Sequence, residues 1–131
     1  MKYSILSESR LQSCTPDLQI IFHEAIKYFD ISILCGHRDR IEQNLAYKTG
    51  HSKVKFPNSK HNSRPSRAVD FAPFPDSKDV KDYIFLAGQI MGIAYMLREQ
   101  GKTTHLLRYG GDFNRDSRVA DGWDWGHLEE I

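Results

Sequence analysis

Leu18, Ile21, Phe22, Ala25, Ile26 and Phe29 recur at intervals of three and four, which draws one apolar stripe along a helix facing a core. The segment opens at Thr15-Pro16-Asp17, where Thr15 suits the N-cap and Pro16 the first helical position, so the pattern predicts a helix from there to about Phe29. His23 falls outside the stripe. Residues 31–35 are a short apolar run stopped by Gly36, as expected of a buried strand ending in a turn. A short helix fits residues 40–48, stopped by Gly50. Residues 50–66 are rich in Ser, Asn, Lys and Pro and hold no period, which predicts a long surface loop of the kind that often carries function.

Residues 67–72 read as a strand with Ala68 and Asp70 on one face and Val69 and Phe71 on the other, broken by Pro73 and Pro75. A long helix over residues 79–100, closed by Gly101, precedes a strand over 105–109. Gly110-Gly111 opens a second loop that runs to a last short strand at 125–129. With no internal repeat and no linker, the order predicts one domain over residues 1–131. Its class is α+β, with helices packed on a small, largely antiparallel sheet. The most apolar stretch, residues 83–97, is interrupted by Gln89 and falls short of the roughly 20 residues a membrane span needs. It reads as a buried helix. The N-terminal MKYSILSESRLQSC has only scattered apolar content, so no signal peptide is expected.

Composition adds little until charge is followed along the chain. A formal net charge of +1 argues against a dedicated nucleic-acid binder, which would carry a strongly basic balance. Between Glu42 and Asp70 there is no acidic residue, while Lys48, Lys53, Lys55, Lys60, Arg64 and Arg67 all fall there. After Gly110 the bias reverses, with Asp112, Asp116, Asp121, Asp124, Glu129 and Glu130. Two alternatives stay open: the segments face each other across a cleft, or each is a solvated loop. Cys14 and Cys35 lack CxxC spacing, which leaves neither a zinc knuckle nor a redox pair and predicts reduced thiols.

Two segments pair a histidine with a carboxylate: SKHNSRPSRAVDF at residues 59–71 and DGWDWGHLEE at 121–130. Zinc hydrolases use three His or carboxylate ligands and leave a position for water, and His61, Asp70 and His127 supply such a set. Asp70 lies between Val69 and Phe71, where a lone carboxylate is costly unless paired or metal-bound. Asp124 stands three residues before His127, a spacing that an ideal strand would split between two faces. A turn or bulge at Gly126 is therefore required for both to meet one metal. Spacing alone leaves a surface His–carboxylate pair as the other reading.

In DFNRD, Asp112, Asn114 and Asp116 alternate as at the start of a calcium loop. The sixth and twelfth positions, which should hold Gly and Glu, hold Ser117 and Trp123, so a solvated loop with Asx turns is the more frequent meaning. His23 and His105 read as surface or core-edge residues, His51 as part of the polar loop, and His37 as shaping the turn that presents Arg38. Trp123 and Trp125 flank Asp124 and either wall a pocket, stack on sugar or pack inside, the last being the commoner use.

SxH followed by AxD, with DxxH near the C-terminus, resembles the metal signature of the zinc peptidase family that groups D-Ala-D-Ala carboxypeptidases with phage L-alanyl-D-glutamate endolysins. CGHRDRIEQN resembles that family's turn with an arginine and a following Gln, and RYGGDFN the strand and loop before its last ligand. The resemblance implies a zinc site on the sheet with His61, Asp70 and His127 as ligands and Asp124 as the catalytic base. It also implies Arg38 as the cation near the scissile carbonyl and Ser59 as a substrate contact. The family's compact form is HxxGxAxD. Here the gap is two residues longer and Ser66 stands where Gly is usual, so a reshaped pocket is expected around an intact metal geometry.

Asp124 followed by WGH is similar to the endolysin branch, which cuts between L-Ala and D-Glu, whereas many carboxypeptidase members carry Glu there. The resemblance thus implies a zinc-dependent, monomeric hydrolase of the peptidoglycan stem peptide, with no nucleic-acid or membrane partner. It is expected to stay in the cytoplasm until released to the host cell wall. Two alternatives remain at this point. One is a D-Ala-D-Ala carboxypeptidase, which the missing signal peptide disfavours; the other is a binding domain in which zinc only stabilises the fold.

Overall fold

The computed structural model describes residues 1–131. Its elements run α1 (Ile5–Gln12), α2 (Pro16–Ala25), β1 (Ile31–Cys35), α3 (Arg40–Lys48), a 3-10 turn (Lys60–Asn62), β2 (Ala68–Pro73), α4 (Val80–Glu99), β3 (Leu107–Tyr109) and β4 (His127–Glu130). The four strands form one antiparallel sheet in the order β1-β2-β4-β3. The fold is α+β, as the pattern of elements predicts, and no helix is long and apolar enough to cross a membrane.

Alternation along β2 and β4 gives the sheet two unlike faces. Val69, Phe71 and Leu128 point into a core of 19 buried residues together with Leu18, Ile21 and Phe22 of α2 and Leu86, Ala87 and Ile90 of α4. The Phe22 and Phe71 rings meet at 5.8 Å between centroids. Asp70, His127 and Glu129 alternate with the core-facing residues and so take the other face. Antiparallel register sets Asp70 directly opposite His127 on β4 and opposite Cys35 on β1. The sheet is thus the platform on which a carboxylate and an imidazole are brought together from 57 residues apart.

Helix α1 is absent from the sequence pattern, and the reason is visible in its packing. Its buried positions are Ser7 and Leu11, while Ile5 and Leu6 are exposed. The Ser7 hydroxyl accepts the Ile33 N–H at 3.0 Å, and the Arg10 guanidinium donates to the Ile33 carbonyl at 3.1 Å. Helix α1 therefore covers the free edge of β1 with side chains that satisfy its backbone, a polar task no apolar periodicity encodes.

Helix α2 starts at Pro16 as predicted but ends at Ala25, four residues before Phe29, where overlapping turns lead the chain to β1. Thr15 does not cap it: its hydroxyl donates instead to the buried Glu130 carboxylate at 2.7 Å. Helix α3 does begin on a reciprocal cap, Asp39 accepting from the Glu42 N–H while Glu42 accepts from the Asp39 N–H.

Candidate active site

Three segments converge on the polar face of the sheet. Ser59 opens the 3-10 turn, its hydroxyl accepting the His61 N–H at 3.2 Å while Asn62 returns a bond to the Ser59 N–H at 3.0 Å. This fixes the backbone beneath His61, whose side chain is almost wholly buried. His61 Nδ1 donates to the Gly36 carbonyl at 2.7 Å, so in the neutral ring the lone pair sits on the other nitrogen, Nε2. Nε2 is buried without any hydrogen-bond partner, lying 3.3 Å from Asp70 Oδ1 in a direction too oblique for a bond. A buried nitrogen with nothing to bond is costly, and a metal ion is a partner that would satisfy it.

His127 shows the complementary arrangement. Its Nε2 meets Glu129 Oε1 at 2.9 Å, which leaves Nδ1 directed at Asp70 Oδ1, 3.0 Å away, and near Asp124 Oδ2 at 3.7 Å. Each imidazole is thus held from behind by an oxygen acceptor and presents its second nitrogen toward Asp70, the orientation that outer partners impose on metal-binding histidines. Two nitrogens and a carboxylate are a donor set suited to zinc. Asp70, Asp124 and His127 place their ligand atoms within 4.8 Å of one another, and so do Cys35, His61 and Asp70. Cys35, brought in by its register with Asp70, is an additional donor nearby that sequence spacing did not suggest.

Asp124 reaches this cluster because residues 124–127 form a turn closed by the His127 N–H on the Asp124 carbonyl at 3.2 Å. Gly126 permits it, through close approach and not through an unusual φ: a Cβ there would stand 2.4 Å from the Phe71 carbonyl oxygen. The Phe71 N–H also donates to the Gly126 carbonyl at 2.8 Å, so the turn is pressed flat against β2. On its other side Asp124 is backed by Gly110, where a Cβ would meet the Asp124 carbonyl oxygen at 2.0 Å.

Charges in the cluster are strongly coupled. Burial alone would raise the Asp70 carboxyl, but His61 and His127 outweigh it and hold Asp70 well below the usual carboxylate range. Burial opposes protonation of His61 and His127, yet Asp70 wins and lifts them to about 10 and about 9. Asp124 behaves oppositely: burial pushes its carboxyl up and Asp70 adds to the rise, against the pull of His127. A carboxylate raised in this way is a better proton acceptor than one in water. Glu129 is resisted by burial but held down to about 2 by its bonds to His127 and Arg108.

Arg38 flanks the cluster. Its guanidinium donates to Asp70 Oδ2 at 3.2 Å and to Gln43 Oε1 at 3.1 Å, and its backbone N–H donates to the His61 carbonyl at 2.8 Å. Gln43 is fully buried, and its amide donates to Ser52 Oγ and to the Val54 carbonyl, each at 2.8 Å. One glutamine on α3 therefore orients Arg38 and anchors the loop that walls the cleft. Neither Gln43 nor Glu129 emerged as a site residue from sequence patterning. Glu129's signal was its i+2 position from His127 on one strand face, and Gln43's was its place in the EQN segment after Arg38.

Lys53 and Lys60 of the basic stretch and Asp124 and Glu129 of the acidic segment line the cleft over Asp70, so the facing arrangement holds for these four, while the other charged residues of both segments lie outside it. Lys60 reaches Glu129 at 3.5 Å and donates to the Glu130 carbonyl, and the Lys53 ammonium sits 4.0 Å from the centroid of the Trp123 ring. Ser59 and His51 also line this space. Trp123 stands at the cleft, 5.4 Å from the Phe113 ring, whereas Trp125 packs against the core. His37 is structural, bonded to the Ser63 carbonyl at 2.9 Å, and His23 forms a surface pair with Glu8 at 2.8 Å.

Asp112, Asn114 and Asp116 do lie together, but their oxygens serve the loop itself. Asp112 accepts from the Asp116 and Ser117 N–H groups, each at 3.0 Å, Asn114 from Asp116 at 3.3 Å and Asp116 from Arg118 at 2.8 Å. These are Asx turns, and the calcium expectation gains no support from them. A third His–carboxylate group, Asp17, His105 and Glu130, lies elsewhere. There Asp17 Oδ2 accepts from the Thr104 N–H, the His105 N–H and His105 Nδ1, which satisfies the group as a hydrogen-bonded tie between loop and helix.

Against known proteins, the family model for phage L-alanyl-D-glutamate peptidases matches residues 1–131. The chain belongs to that family. As a member it is a peptidase acting on the L-Ala–D-Glu linkage of peptidoglycan, which sets aside the D-Ala-D-Ala carboxypeptidase alternative. Among solved structures it is similar to the crystal structure of the Serratia marcescens L-Ala D-Glu endopeptidase ChiX. That match has 21% identity, covers 99% of this chain and 90% of that chain, and has a TM-score of 0.72, a likeness of fold. No curated protein sequence matches significantly.

Proposed function

We propose that residues 1–131 form one catalytic domain that hydrolyses the L-Ala–D-Glu bond of the stem peptide with zinc held by His61 Nε2, His127 Nδ1 and Asp70. The observation that carries the metal reading is the buried, unpartnered Nε2 of His61 beside a carboxylate shared with His127. Zinc bound there would supply a Lewis acid that polarises the scissile carbonyl and lowers the pKa of water. Asp124, raised by burial, takes a proton from the attacking water and delivers it to the leaving amine. Arg38, fixed by Gln43, offsets negative charge developing on the carbonyl oxygen. Ser59 borders the substrate space and keeps His61 in place through its cap, so its contact with substrate is a second use of one hydroxyl. The proposed place of action is the host cell wall, reached from the cytoplasm of the producing cell.

The reading is tested by mass spectrometry of fragments released from purified peptidoglycan by the zinc-supplied chain. New L-Ala C-termini and D-Glu N-termini are expected; release of terminal D-Ala alone would overturn it.

A proton count tests the ligand assignment separately. In the metal-free chain the raised His61 and His127 values mean that their protonation contributes stability in full below the ordinary histidine pKa of 6.5. That contribution is lost as pH rises through about 9 to about 10. Because ligating imidazoles must be neutral and both are lifted above their ordinary value, zinc uptake at pH 7 should release protons. Calorimetry in buffers of differing ionisation enthalpy reads that release, and zinc uptake without it would contradict the assignment.

A further inference from the structure

The cations along the cleft divide by whether a carboxylate already holds them. Arg38 is bonded to Asp70 at 3.2 Å, Arg108 to Glu129 at 2.7 Å, and Lys60 lies 3.5 Å from the same Glu129. Lys53 lines the same cleft with no carboxylate partner; what holds its ammonium is the face of Trp123, 4.0 Å from the ring centroid. An indole face fixes the position of a cation without neutralising it, so the charge stays available to an incoming anion. Trp123 is itself placed by Phe113, at 5.4 Å between rings, and by its backbone N–H on the Gly110 carbonyl at 3.4 Å. It is also the chain neighbour of Asp124.

The substrate supplies an anion at the matching place. In the stem peptide D-Glu continues through its γ-carboxyl group, which leaves the α-carboxylate free on the carbon that bears the scissile nitrogen. That carboxylate travels with the leaving amine, the atom Asp124 serves. We propose that Lys53, held on Trp123, receives the α-carboxylate of the D-Glu residue on the leaving side and makes the cleft selective for the free acid over its amide. The assignment rests on the proposed reading of Asp124 as the group facing the leaving amine. It gives the unpaired basic charge of the loop a defined partner, where Arg38, Lys60 and Arg108 are occupied in holding the site together.

The test uses two synthetic stem peptides that differ only in whether the D-Glu α-carboxyl is free or amidated, with the full chain supplied with zinc. The wild-type ratio of kcat/KM, acid over amide, should be roughly 2- to 5-fold, the worth of one charged contact at an exposed side chain. Lys53→Gln should bring that ratio toward one, chiefly through KM for the acid, and Lys53→Arg should keep most of it. Added salt should narrow the wild-type ratio as well. Turnover of the amidated peptide by the variants reports that they are folded, which separates a lost contact from a lost fold. Equal cleavage of both peptides by the wild type, or a ratio unchanged by Lys53→Gln, would overturn the proposal. Failure of the wild type to cut either peptide between L-Ala and D-Glu would instead remove the underlying reading of the site, and this assignment with it.

Discussion

Asp124→Asn should lower kcat for peptidoglycan by about 10³-fold while leaving zinc content at the wild-type level, the loss expected when a general base is replaced by a group that cannot take a proton. The substitution conserves shape, and the turn that presents the side chain is built from the Asp124 backbone, through its bonds to His127 and Gly110, so the geometry is retained. The three proposed ligands do not include Asp124, whose Oδ2 lies 3.7 Å from His127 Nδ1. Zinc content by mass spectrometry and initial rates of wall digestion together separate the two possible roles of the site. An unchanged rate with full zinc would turn the domain into one that only binds and is stabilised by metal. Loss of both zinc and activity would make Asp124 a ligand.

The second large effect is expected from a residue with no chemistry. Gly126→Ala places a methyl 2.4 Å from the Phe71 carbonyl oxygen, a backbone atom that cannot swing away. The strand or the turn must yield, at a cost of about 1–3 kcal/mol in stability. The turn is the more yielding of the two, because β2 is locked between β1 and β4 while residues 124–126 lie outside any strand. Asp124 and His127 would then move apart, and a displacement near 1 Å in a catalytic group typically costs about 10²-fold in rate. Thermal denaturation and kcat/KM should fall together in this variant, unlike Asp124→Asn, where only the rate should change. A Gly126→Ala protein with wild-type rate and stability would contradict the close packing that brings Asp124 and His127 to one metal.

The outline of the fold was legible wherever burial follows a simple period. Residues 31–35 and 40–48 match β1 and α3, and the long helix, which ends at Glu99, is closed by Gly101, whose φ of 75° is the left-handed position a closing glycine adopts. Helix α1 was not legible, because of its two inward residues only Leu11 is apolar, Ser7 being polar, while its apolar Ile5 and Leu6 face water. The end of α2 was misplaced because Phe29 continues the stripe and still packs on the core after the backbone has left the helix.

In the site, the proposed ligands came from the resemblance and from the oddity of a carboxylate between Val69 and Phe71. What surrounds them depends on tertiary register that a sequence does not display. Glu129 behind His127, Gln43 behind Arg38 and Gly36 behind His61 are partners chosen by strand pairing and by one face of α3. The required turn at Gly126 was foreseeable from the spacing of Asp124 and His127. That it works by pressing against the Phe71 carbonyl was not.

In the proposed site His61, Asp70 and His127 hold a single zinc ion, the histidines through the nitrogens left free by Gly36 and Glu129. Anomalous diffraction at the zinc absorption edge from crystals of the zinc-supplied chain tests it most directly. One peak is expected within coordination distance of His61 Nε2, His127 Nδ1 and an Asp70 carboxylate oxygen. A peak on other residues, or none beside His61 Nε2, would contradict it.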